Sequence, residues 1–223
     1  MTTKTKKTTK KQTAKTAPQA PGEATAVILP ATPRKAVLKK FMNGAGTYPG
    51  FTFSRAWWEG QGEREGITVW VEKKLTPGED PRFGSAVHAG LVLPRHAPGE
   101  YWSIPYLFQR FDEMLPSFER HAFVHLKLVL PGAEPAHAAF EKVRSFAWQH
   151  FAVERRLAAL VVLHAPGIAG VGNPRHAHVV VPSRELVADG FAATNYRLCS
   201  DTGQQEAWQA WQAHIERWDE QFV

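Results

Sequence analysis

The chain has one cysteine, Cys199, and three methionines among 223 residues. A single cysteine excludes a disulfide framework and a thiolate zinc site, and it fits a reducing compartment. Long apolar runs are also missing. The longest is Leu157–Leu163, far short of the ~20 residues of a membrane span. No apolar stretch of signal-peptide length follows the basic N-terminus, so a cytoplasmic protein without membrane insertion is expected. Acidic residues are absent from the first 21 positions, which hold six lysines: Lys4, Lys6, Lys7, Lys10, Lys11 and Lys15. Residues 1–40 carry ten bases against Glu23 alone, whereas 41–223 carry 17 bases against 20 acids. The net charge of +6 is therefore the charge of an arm. An evenly basic, nucleic-acid-coating surface is excluded.

What is present supports one folded domain. Residues 1–22 are Thr, Lys, Ala, Pro and Gln with little to bury and read as a disordered basic arm. Residues 23–223 are long enough for a single α/β-type core, and the chain as a whole is 43% hydrophobic. Ala24–Leu29 reads as a short strand. Arg34–Met42 has helical spacing through Val37, Leu38 and Phe41, with Asn43, Gly44 and Gly46 to end it. Phe51–Trp58 is aromatic-rich, and Ile67–Lys73 and Ala86–Leu93 alternate like strands. Ile104–Leu115 and Ala136–Phe151 read as amphipathic helices, and Gln204–Phe222 as a closing helix carrying Trp208, Trp211 and Trp218. Ala122–Leu130 is a strand with His125 and Lys127 on one face. Leu157–His164 and His176–Val181 are nearly all apolar and read as central strands, joined by a loop rich in glycine and proline.

Ten histidines are unusual for this length. His176 and His178 share one face of their strand, because strand side chains alternate. If the loop folds back, the two central strands are antiparallel neighbours and His164 lies beside that pair. Three converging imidazoles can hold one divalent cation with positions left open for a phosphodiester. The plainer reading is three polar strand positions without a metal. Zinc, iron, nickel and copper suit all-imidazole sites, and manganese or magnesium suits phosphate chemistry.

The runs FVHLKLVLP, LAALVVLHAPGIAGVGNPRHAHVVVPSREL and the later DGF, with AVHAGLVLPRHAP and LFQRFDEM upstream, resemble the MobA/MobL plasmid mobilisation relaxases. These belong to the HUH endonucleases. The resemblance spans residues 84–220. It implies an α+β fold, an antiparallel sheet flanked by helices, and a tyrosine attacking one phosphodiester of single-stranded DNA. It also implies His164, His176 and His178 as ligands of a divalent cation, manganese or magnesium first and zinc second. Single-stranded DNA would be the partner, along with other mobilisation proteins. The family's tyrosine-bearing helix corresponds to Arg34–Met42, where the tyrosine position falls on Met42 or Phe41. Tyr48, in the following loop, is the substitute nucleophile. Arg34, Lys39, Lys40 and Arg175 are candidate DNA contacts. Ala165 stands where the family has an aspartate, and His125 and Lys127 stand at its acidic positions. His125 reads as a polar-face residue ahead of an extra ligand or base. Two other readings keep the same strand. One is a catalytically reduced relative that binds DNA or a partner, and the other is a histidine-metal hydrolase needing no tyrosine. Trp57 and Trp58 read as core, with Trp58 near the surface.

Overall fold

The computed structural model describes residues 35–42, 48–60, 62–76, 86–130, 132, 134–170 and 172–221. The expected arm, the strand Ala24–Leu29 and Arg34 lie outside these residues. Among these described residues the chain is α+β, with one seven-stranded sheet of order β3-β1-β2-β5-β7-β6-β4 and a separate two-stranded ribbon, β8-β9. The main-sheet strands are β1 (Lys35–Met42), β2 (Phe51–Glu59), β3 (Glu63–Arg64), β4 (Ala86–Val92), β5 (His121–Val129), β6 (Ala159–His164) and β7 (His176–Pro182). The ribbon is β8 (Arg184–Val187) and β9 (Gly190–Thr194). Every pairing is antiparallel except the short β1–β3 contact.

The sheet is covered on both faces, which explains why β6 and β7 are buried at every position. One face presents Phe51, Phe53, Leu126, Leu128, Ala177 and Val179 to α3 (Ala136–Ala147) and α4 (Asp201–Gln221), through Val143, Phe146 and Trp211. The other presents Trp58, Phe123, Leu160, Val162 and Val180 to α1 (Ile67–Leu75) and α2 (Ile104–Met114). Period-two alternation sorts each strand between these two layers. A π-helical turn, Trp148–Val153, extends α3.

Two elements differ from their expected type. Arg34–Met42 is not a helix, because β1 is a strand pairing with β2 from Val37↔Glu59 to Met42↔Ser54. Its apolar residues serve alternate faces: Ala36 is buried and Leu38 packs on the α1/α2 layer, while Val37 and Phe41 are exposed. Ile67–Lys73 is not a strand but most of α1. The Asp112 carboxylate on α2 accepts from the Ile67 and Thr68 amides and the Thr68 hydroxyl at 2.9, 3.2 and 2.7 Å. It thus supplies the first-turn acceptor that Gly66 lacks. Ile67 and Val71, four residues apart, are the buried stripe of this helix. Trp58 is also fully buried rather than near the surface, at 1% exposure, and its indole donates to the Glu65 carbonyl.

Candidate functional site: a histidine and lysine face

The antiparallel return between β6 and β7 places His164 directly opposite His176, with Val162 opposite His178. On the other side of β7, Lys127 of β5 lies opposite His178 and His125 lies opposite Val180. All four histidines and Lys127 therefore fall on one face of the sheet. The imidazoles of His164, His176 and His178 form a triangle with centroid separations of 5.4, 5.0 and 5.0 Å. His125, expected as a plain polar-face residue, joins them. Its Nε2 lies 2.8 Å from Nδ1 of His178. All four rings are buried.

The surroundings of the cluster are basic. The Lys40 ammonium on β1 donates to Nδ1 of His125 at 3.0 Å. Trp70 of α1 packs edge-on to His125, and its ring lies 5.5 Å from the Lys40 ammonium and 5.1 Å from that of Lys74. His164 Nε2 donates to the Lys74 carbonyl at 3.1 Å, and His176 Nδ1 donates to the Pro174 carbonyl at 2.9 Å. Among the described residues, neither Lys40 nor Lys127 is ion-paired with a carboxylate. Burial, reinforced by Lys74, lowers Lys40 to about 8. Burial pushes His125 and His178 well below the ordinary imidazole range, and His176 down to about 4. His125, His176 and His178 are thus kept neutral inside a ring of cations.

The hydrogen bonds assign tautomers. A lysine ammonium has only donors, so Nδ1 of His125 accepts. Neutral His125 then carries its proton on Nε2 and donates to Nδ1 of His178. Neutral His178 must hold its own proton on Nε2. A metal ligand needs a lone pair there, so the residues present do not fit the divalent cation implied by the sequence. Among the described residues, no group of three or more His, Cys, Asp or Glu could hold a metal ion. What the face can do is donate. An N–H of His178 and the ammonium groups of Lys40, Lys74 and Lys127 suit an oxyanion.

The other predicted residues lie elsewhere. Tyr48 packs on Trp208 and Phe51, with centroids 4.9 and 6.2 Å away, in the layer under α3 and α4. The histidines are on the opposite face, so the ring of Tyr48 packs in the other layer. Tyr101 and Tyr106 pack together near α2, and the hydroxyl of Tyr196 donates to Glu119. Lys39 points away from Lys40 along the strand and pairs with Glu59 at 3.5 Å. Arg175 donates to the Glu134 carbonyl, bracing the loop before β7. Among the described residues, Lys40 alone of the expected DNA contacts stands at the histidines. Sequence reasoning missed Trp70 and Lys74, because their helix read as a strand. The signal for His125 was its place beside Lys127 where the resembled family has acids.

No family model and no curated protein matches the chain. Among solved structures, a chain from "Molecular Basis of Vancomycin Resistance Transfer in Staphylococcus aureus" is similar. The likeness covers 60% of this chain and 71% of that one, at 15% identity and a TM-score of 0.49. Among the described residues, no helix is long and apolar enough to cross a membrane.

Proposed function

We propose that this protein is a relaxase-like, single-stranded-DNA-binding protein of plasmid or mobile-element transfer that holds a phosphodiester without tyrosyl strand transfer. The observation that carries this reading is the placement of two groups on opposite faces of one sheet. The HAH strand and its basic surround form one side, and Tyr48 lies on the other. Support for the DNA-processing class comes from the order of motifs along residues 84–220 and from the interior position of the HAH strand in an antiparallel sheet. Support for binding over nicking comes from Tyr48, whose ring packs against Trp208 and Phe51 in the layer away from the histidines.

The test uses the full chain with end-labelled single-stranded oligonucleotides, in EDTA and again in Mn²⁺. The expected result is retention of DNA under native conditions, with no labelled protein band after denaturation. His178→Ala should weaken retention. A denaturation-resistant adduct that Tyr48→Phe abolishes would overturn the reading in favour of strand transfer. Cleavage without an adduct would overturn it in favour of a hydrolase.

A further inference from the structure

We infer that the histidine face is a metal-free phosphate site in which Lys40, acting through His125, fixes His178 as a hydrogen-bond donor. The inference rests on the DNA-binding reading for the identity of its natural ligand, a phosphodiester. Its physical basis is the three-membered chain Lys40 Nζ, His125, His178, with links of 3.0 and 2.8 Å.

Each link dictates the next. The ammonium can only donate, so His125 receives at Nδ1 and donates from Nε2. His178 receives at Nδ1 and presents Nε2–H. Reversing the chain would free a lone pair on His178 for a metal, but it would aim an N–H of His125 at an ammonium. One residue thus selects between two chemistries for the same ring: a cation needs the reversed chain, and an oxyanion needs the chain as built. The rest of the face favours the anion. Lys127 projects from β5 opposite His178, two residues on from His125. Lys74 and Lys40 both lie beside the ring of Trp70. A phosphodiester carries one negative charge spread over two non-bridging oxygens, which these donors could share as charge-assisted hydrogen bonds.

The experiment titrates the full chain with inorganic phosphate in EDTA by calorimetry, and separately with Zn²⁺ and Mn²⁺. The tautomer of His178 is read by ¹⁵N NMR of the imidazole. The wild type should bind phosphate without metal and show His178 protonated at Nε2. Lys40→Met and Lys127→Met should each weaken phosphate binding roughly tenfold or more, the usual scale for a charged hydrogen bond. Lys40→Met should also gain Zn²⁺ binding, a change of sign that general loss of structure would not produce. Phosphate binding that requires metal, an Nδ1–H tautomer in the wild type, or lysine variants with unchanged phosphate affinity would each overturn the inference. The wild-type tautomer decides the matter even if a variant fails to fold. If phosphate binds as expected but single-stranded DNA does not, the DNA reading fails and the anion site stands. If DNA binds with an affinity indifferent to Lys40 and Lys127, the anion site fails and the DNA reading stands.

Discussion

Glu119 shows how single residues set this protein's response to acid. Its carboxylate is buried at 3% exposure and accepts from the Arg120 and His121 amides and from the Thr194 and Tyr196 hydroxyls. Burial works to raise its pKa. The hydrogen bonds from Thr194, His121 and Tyr196 together outweigh burial and hold it at about 2. An unfolded glutamate titrates near ~4.3. Between those values the unfolded chain binds more protons than the folded one, so stability falls as pH falls through that window. The contribution is complete above about pH 4.5 and lost near 2. Glu119→Gln should lower stability at pH 7 by about 1–3 kcal/mol. It should also flatten the pH dependence between about 4.5 and 2. Urea titrations at pH 7, 5 and 3 check both, and parallel pH profiles for the two proteins would refute the assignment.

At the scale of elements, α1 is the part whose form depends most on distant residues. Asp112 caps it from α2, and it then lays Trp70 and Lys74 over the histidine face. Asp112→Ala should cost about 1–2 kcal/mol, the scale of a lost helix cap. It should also weaken oligonucleotide binding, because Trp70 and Lys74 lose their fixed position. Thermal melts and binding curves on the same preparation test this, and a lower melting temperature with unchanged affinity would separate α1 from the site. The same helix marks where the sequence was illegible. ITVWVEK alternates and is rich in β-branched and aromatic residues, so local preference points to a strand. The cap that decides otherwise is some 45 positions away. The reverse holds for β1, where Val37, Leu38 and Phe41 mimic a helical stripe, yet pairing with β2 makes a strand. The strands β5, β6 and β7 were legible because burial on both faces leaves near-continuous apolar runs that only interior positions tolerate. The convergence of His164, His176 and His178 followed from period two and one antiparallel return. The contribution of Lys40 did not, since it depends on the register of two strands far apart in the chain.

For the whole molecule, charge and architecture are divided along the chain. The six arm lysines precede a segment, 41–223, with a slight excess of acid. If the arm contacts DNA, deleting residues 1–21 should weaken oligonucleotide binding and flatten its salt dependence. Six phosphate contacts correspond to a slope of about −4 on single strands. Binding of inorganic phosphate should be unaffected, since the donors proposed for it lie in β1, β5, β7 and α1. Affinity measured from low to moderate salt tests this, and identical salt slopes with and without the arm would confine recognition to the domain.

The strand order has a consequence for how the protein is made. β5 finds only β2 ready as a partner when it leaves the ribosome. β6 finds only β4, and β7 comes last among the seven strands yet joins β5 to β6. Without residues 176–182 the main-sheet strands fall into two groups, β3-β1-β2-β5 and β6-β4, each left with an unpaired apolar edge. Such edges are the kind that chaperones guard and that slow folding. The two halves can close only when His176 and His178 arrive on the strand between them, so the core and the histidine face are completed in the same step.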